Sequence, residues 1–215
     1  EYTILGGFSM MNEIKENIIE NELKYDNTTI LTYKIKYPQI ISSRYKLGKD
    51  IFNRYNERIV QDLKQYIEGE LYLQAKEVYE YNKKHGYPVM VFEVILETKI
   101  TYNQDKILSL YQDQYTFTGG AHGSTVRTSQ NWNLAVARQI GLYMLYSNPY
   151  FLLHILRKIN LQIANEKENY FDNYCELVLE TFNPNQYYIT KEGIKIFFEQ
   201  YDIAPYSTGI PVFLV

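Results

Sequence analysis

Tyr115-Thr116-Phe117-Thr118-Gly119-Gly120-Ala121-His122-Gly123-Ser124-Thr125 is the densest run of glycine in the chain, and it separates two strongly alternating segments. Three of the eleven glycines fall within five residues, so the backbone here needs positive φ or an approach that a side chain would block. Before it, Ile107 to Phe117 places Tyr111, Asp113, Tyr115 and Phe117 on one face of a strand. After it, Ser124 to Leu134 alternates again, with Val126, Thr128, Gln130, Trp132 and Leu134 sharing a face. Upstream, Met90, Phe92, Val94, Leu96, Ile100 and Tyr102 alternate with Glu93, Glu97 and Lys99, and Asn103-Gln104-Asp105-Lys106 is a connector of hairpin length. Three successive strands predict an antiparallel meander, which needs no crossover helices.

Working outward, residues 13–37 read as two strands about a turn at Asp26-Asn27, with Leu31, Tyr33, Ile35 and Tyr37 on the core face and Pro38 ending the run. A long helix follows. Ile51, Tyr55, Ile59, Leu63 and Ile67 recur near helical spacing, and Leu71, Ala75 and Val78 extend the stripe past Gly69, which marks a kink or a break. His85-Gly86 before Pro88 is a helix stop. Beyond the meander, Asn148-Pro149 reads as a helix start, with Leu152, Leu156, Ile159 and Ile163 as its buried stripe. Tyr170 to Thr181 forms another helix, closed by Asn183-Pro184-Asn185. Gln186 to Tyr201 reads as a hairpin turning at Lys191-Glu192-Gly193, and Ile210 to Val215 as an added edge strand. The fold class is therefore α+β: an antiparallel meander packed by a long N-terminal helix and two later helices. One domain spans 12–215, with a C-terminal subdomain from about 148 as the variant reading; residues 1–11 are unassigned or foreign to the native chain.

Composition narrows the function. The 215 residues carry a net charge of −3, which leaves no nucleic-acid footprint. The 23 tyrosines suit surfaces that bind proteins or sugars, although an AT-rich codon bias accounts for them more simply. A lone cysteine, Cys175, rules out an internal disulfide and reads as a buried, inert thiol in a helix. No run is long and apolar enough to span a bilayer, so contact with a membrane would require an anchor outside this sequence.

No catalytic constellation emerges. The glycine run invites an anion-binding reading, with Gly119 and Gly120 amides facing a ligand and His122 as acid, base or ligand. No nucleophile elbow and no phosphate-loop Gly-Lys-Ser/Thr accompanies it, so a connector with a locally bonded His122 is the simpler reading. His85, His122 and His154 lack metal-ligand spacing, so no metal or cofactor is expected. Glu93 and Glu97 share a strand face as a glycosidase pair would, but carboxylates there are usually just solvated. Lys46, Lys49, Arg54 and Arg58 are interleaved with Glu57 and Asp62, a mixed-charge face.

Tyr115 to Gly123 resembles the Tyr-x-x-Thr-Gly-Gly-Ala-His-Gly signature of a bacterial extracytoplasmic domain family of unknown function. That family occurs in RsiV-like (anti-sigma-V) lysozyme-sensor ectodomains and at the N-terminus of some peptidoglycan deacetylases. Tyr37-Pro38-Gln39-Ile40, Asn131-Trp132-Asn133-Leu134, and the block from Gln186 through Gly193 to Tyr201-Asp202-Ile203-Ala204-Pro205-Tyr206-Ser207-Thr208-Gly209 resemble further family segments in the same order. The resemblance departs after Leu134, where Ala135-Val136-Ala137-Arg138 replaces the family's Gly turn. It implies an α+β domain outside the membrane that binds rather than catalyses. Its partner would be a lysozyme-type muramidase or another wall hydrolase, or alternatively a peptidoglycan or other cell-wall glycan. Thr118, Gly119, Gly120 and His122 are the expected contact residues.

Overall fold

A computed structural model describes residues 11–215; the assignment of 1–11 falls almost wholly outside them. Strands β1 (Glu13–Tyr25) and β2 (Thr28–Ser42) form the first hairpin, and β3 (Phe92–Gln104), β4 (Ile107–Phe117) and β5 (Ser124–Asn133) the meander. With the two-residue β6 (Arg138–Gln139) they make one six-stranded sheet in the order β1-β2-β3-β4-β5-β6. The sheet is not a pure meander. β2 pairs β3 in parallel, Leu31 opposite Phe92 and Ile35 opposite Leu96, so the helical segment between them is a crossover connection. Alternation within a strand reports which face is buried and carries no sign of strand direction, which is why the parallel seam was invisible in the sequence.

Pro38 lies inside β2, opposite Glu16. The last residue that β2 pairs with β3 is Ile35, so at Pro38 the strand has a single neighbour and a missing donor is tolerated as on an edge. β1 is the sheet's outer edge. Its charged residues, with Glu20 ion-paired to Lys34, oppose pairing with another chain.

The crossover is α1 (Lys46–Tyr66), a π turn (Ile67–Leu71) and α2 (Tyr72–His85). It follows two strands rather than opening the fold, and Gly69 marks a π turn instead of a break. The apolar spacing explains the turn. Leu63, Ile67, Leu71, Ala75 and Tyr79 are all buried and recur every four residues, which outruns a 3.6-residue repeat, and a π turn absorbs the accumulated rotation. Upstream the buried face is Phe52, Asn56, Val60 and Leu63, one position round from the Ile51-Tyr55-Ile59 stripe, and Tyr55 is exposed. Gly86, at φ 72°, caps α2 in the left-handed conformation. Gly48 is in the first turn of α1 because a Cβ there would lie 2.1 Å from the Leu134 carbonyl oxygen.

Two cores lie beneath this crossover. One joins Leu31, Tyr33 and Ile35 of β2 and Val94 of β3 to the second half of the helix. The other packs Phe52 against Leu108, Leu110, Trp132 and Leu134, with Phe52 and Trp132 edge to face at 5.8 Å. Each such buried side chain contributes about 1.5–3 kcal/mol. A third core belongs to the C-terminal elements: α3 (Phe151–Ala164), α4 (Tyr174–Thr181) and a second antiparallel sheet of β7 (Tyr187–Ile189), β8 (Ile194–Phe197) and β9 (Val212–Leu214). Ile155, Ile159 and Ile163 are the buried residues of α3, and Leu152 is exposed; Cys175 of α4 is likewise exposed rather than buried, because α4 turns Tyr174 and Val178 to the core instead.

These C-terminal elements lie on the face of β4 and β5 that points away from α1. The seam is polar. Ser109 Oγ accepts from the Ile189 amide (2.8 Å), Thr101 Oγ1 donates to the Ile189 carbonyl (2.7 Å), and Asn131 Nδ2 donates to the Tyr187 carbonyl (2.8 Å). Ser109 and Asn131 are buried, so leaving either unpaired would cost about 1–3 kcal/mol. The seam thereby fixes where the second sheet sits.

Candidate functional site

The glycine loop joins β4 to β5 at this seam. Gly119 and Gly120 adopt φ of 101° and 96°, a region L side chains rarely enter, so the loop's path depends on both. At Gly123 the constraint is space: a Cβ would meet the Tyr115 ring at 2.5 Å and the Thr116 carbonyl oxygen at 2.6 Å. Thr118, Gly120 and His122 are exposed and Gly119 is half-buried beside Met90.

The segment from Glu199 to Tyr206 comes to meet this loop. Tyr206 donates its hydroxyl to the Gly123 carbonyl (3.1 Å), and its ring stacks on His122 at 3.9 Å between centroids. Tyr201, held at φ 70° in a turn, lies 5.8 Å from Tyr206 and is 54% exposed. His122, Tyr206 and Tyr201 thus form a stacked aromatic ledge beside the glycine loop. The ring Nδ1 of His122 lies 3.0 Å from the Gly123 carbonyl oxygen, the local bond expected of a connector histidine.

The base of the ledge is tied to the sheet through β5. β6 covers β5 only at Trp132 and Asn133, so nearer the glycine loop the β5 amides that point away from β4 have no strand partner. Gln200 Oε1 accepts from the Thr125 amide (2.8 Å), and Glu199 Oε2 accepts from the Arg127 amide (3.2 Å). Glu199 also accepts from Gln186, and its own amide donates to Asp202 Oδ2 (2.9 Å). Burial pushes both carboxyls, Glu199 and Asp202, above the ordinary carboxylate range. Arg127 offsets the burial of Glu199 only in part, through its amide and its guanidinium charge. The guanidinium is held bidentately by Asp113 (2.7 and 2.6 Å) over the Tyr111 ring, and that pair keeps it firmly charged despite burial.

This arrangement presents an aromatic surface whose supporting polar groups are committed to backbone contacts. The two carboxyls with raised pKa cap backbone amides and turn the chain. Glu93 and Glu97 lie on the open sheet face, with Glu97 ion-paired to Lys36 at 2.8 Å. Among the described residues no three His, Cys, Asp or Glu side chains gather as a metal site would require. His85, exposed at the end of α2, lies beside the Tyr81 and Tyr87 rings, with centroids 4.2 and 6.1 Å away. Sequence reading located the loop and missed the ledge, because Tyr201 and Tyr206 are about eighty residues away in the chain and only the seam brings them in. The one hint was that both stretches belong to the same family resemblance.

Fold and site together define an α+β domain with a two-sheet seam and an aromatic ledge at one end. Residues 24–125 match the family model described as "Deacetylase PdaC", and residues 147–215 match "Protein of unknown function (DUF3298)". Two solved structures share the fold. A DUF3298-family member from Bacteroides fragilis superposes with a TM-score of 0.68 at 21% identity, covering 95% of this chain and 91% of its own. One from Pseudomonas aeruginosa gives 0.66 at 14% identity, covering 96% and 91%. The chain is also 22% identical over 212 residues to the peptidoglycan-N-acetylmuramic acid deacetylase PdaC of Bacillus subtilis, covering 91% of itself and 41% of that protein. Over these two stretches the chain is similar to a domain family of unknown function linked to peptidoglycan deacetylases, and it spans about two fifths of that relative's length. Among the described residues no helix is long and apolar enough to cross a membrane.

Proposed function

We propose that this chain is a non-catalytic accessory domain of the cell envelope that binds a lysozyme-type muramidase or another wall hydrolase through the glycine loop and its ledge. The observation that carries this reading is the cluster of His122 stacked on half-buried Tyr206 with Tyr201 tilted beside it, His122 and Tyr201 exposed, all held by hydrogen bonds at its base. Aromatic side chains on a pre-organised loop are the residues that dominate protein interfaces, because they contribute large contact area with little ordering cost. The net charge of −3 complements a cationic enzyme and would speed encounter. The link to peptidoglycan deacetylases supports an envelope location.

Titration calorimetry against lysozymes, read together with residual muramidase activity, tests the proposal. A 1:1 complex that suppresses activity and is weakened by Tyr206→Ala is the expected result. Absence of both heat and inhibition across several lysozymes would remove the muramidase as partner. A second reading rests on the substrate in the PdaC relative's name: the ledge stacks on sugar rings of peptidoglycan. Pull-down on purified, protein-free peptidoglycan that fails for Tyr201→Ala with Tyr206→Ala would favour it.

A further inference from the structure

A second surface, distinct from the ledge, follows β5. Between Asp113 and Glu166 the sequence contains no acidic residue at all, in a chain that has 25 of them. The same stretch supplies the densest run of exposed large apolar side chains. Val136 is 61% exposed, and on the 3-10 turn Leu142–Leu145 Tyr143 is 69% and Met144 62% exposed. Tyr150 and Leu153 follow at 66% and 67%. An ordinary solvated surface does not concentrate such residues.

The fold holds them in place. Leu142 is buried in the same core as Ile155 and Ile159, and the Tyr146 ring stacks on Phe151 at 5.1 Å, so the 3-10 turn is fastened to the start of α3. Val136, Arg138, Tyr143, Met144 and Leu145 line one open cavity of about 770 Å³ beside β6. Arg138, Arg157 and Lys158 are exposed, and among the described residues none of them forms an ion pair. Asp105, in the turn before Ile107, is already paired with Arg44.

We infer that this face rests on an anionic phospholipid bilayer, with Tyr143 and Met144 entering the headgroup boundary and Arg138, Arg157 and Lys158 meeting lipid phosphates. Charge decides the occupant. The side chains lining the cavity include Arg138 and no carboxylate, and the chain from 114 to 165 supplies none, which suits an anionic bilayer that repels carboxylates near it. Tyrosine with long apolar side chains, backed by arginine and lysine, is the pattern of interfacial insertion. This contact is made by the chain's own surface, where the sequence alone pointed to a membrane only through an anchor outside it; it is separate from the ledge, and it would fix which way the ledge points relative to the membrane.

The test is flotation of the purified protein with vesicles of phosphatidylcholine alone and of phosphatidylcholine with an equal part of phosphatidylglycerol. Binding to the anionic vesicles only, weakening as salt is raised, is expected. Arg157→Glu with Lys158→Glu should weaken it roughly fivefold or more per charge. Tyr143→Asp with Met144→Asp should weaken it at least about tenfold. All four positions are exposed, so circular dichroism should be unchanged. Leu73→Asp, which removes an exposed apolar side chain on α2, should leave binding intact. Failure to float with anionic vesicles, or flotation untouched by both double variants, overturns the inference. So does a concentration-dependent dimer in sedimentation that Tyr143→Asp with Met144→Asp dissolves, because the face would then belong to a second copy.

Discussion

Replacing Gln130 with leucine removes the hub of a buried polar chain that runs across the first sheet from β5 to β2. Gln130 Nε2 donates to Asn56 Oδ1 (2.9 Å) and Gln112 Oε1 (3.1 Å), and Gln130 Oε1 accepts from Trp132 Nε1 (3.0 Å). Gln112 passes the chain to Thr98 (3.1 Å), which donates to the Lys36 carbonyl (2.8 Å). Asn56, Gln112 and Gln130 are at most 3% exposed. Leucine orphans three buried atoms: Trp132 Nε1, Asn56 Oδ1 and Gln112 Oε1. At about 1–3 kcal/mol each, less about 1–2 kcal/mol regained from leucine burial, the mid-range net loss is about 4–5 kcal/mol. Asn56 Nδ2 keeps its bond to the Phe52 carbonyl (3.0 Å) and adds nothing to that sum. Urea unfolding followed by tryptophan fluorescence measures the loss, and Trp132, the only tryptophan, sits within the perturbed network. Asn56→Leu combined with Gln130→Leu should cost less than the two singles added together, by about 1 kcal/mol or more. A Gln130→Leu loss below about 1 kcal/mol, or strictly additive singles, would refute the claim that these side chains act as one unit.

Three further outcomes follow from the site. Gly123→Ala drives a Cβ into Tyr115 and the Thr116 carbonyl, so it should cost about 1–3 kcal/mol in chemical denaturation, and new chemical shifts should concentrate at the glycine loop. His122→Ala removes one exposed ring from the ledge and should cost about 0.5–1 kcal/mol while weakening partner binding less than Tyr206→Ala; complete loss of binding in a fully stable variant would contradict this. Glu199 titrates higher when folded than when unfolded. Its ionisation therefore adds no cost below the ordinary carboxylate range and a full penalty above the raised value, so stability falls as pH rises through that interval. Glu199→Gln should flatten the fall in a pH series of urea midpoints, and an unchanged slope would count against it.

The strands of the meander were legible because each alternates cleanly over a face, and the structure places Tyr111, Asp113 and Tyr115 opposite Gln112 and Leu110 as expected. The helix stripe was displaced by one position because Asn56, a polar residue, occupies a fully buried site; only a partner such as Gln130 makes that possible, and partners across 74 residues leave no local trace. Leu152 failed as a core residue for the converse reason, being apolar yet exposed. The parallel pairing of β2 with β3, the π turn and the meeting of His122 with Tyr206 all depend on tertiary placement, which periodicity does not encode.

The parallel seam also governs how the chain can assemble. β1 with β2, and β3 with β4 and β5, are each local units closed by short turns. Joining them requires α1 and α2 to be laid down first, since the strands at the seam are separated by the entire crossover. The two halves are welded by the slowest kind of contact, one whose loop-closure entropy is lost before pairing returns anything. The amides along the seam should therefore be the last to gain protection from hydrogen exchange during refolding, and a chain arrested before that point would expose the unpaired edges of β2 and β3 to its neighbours.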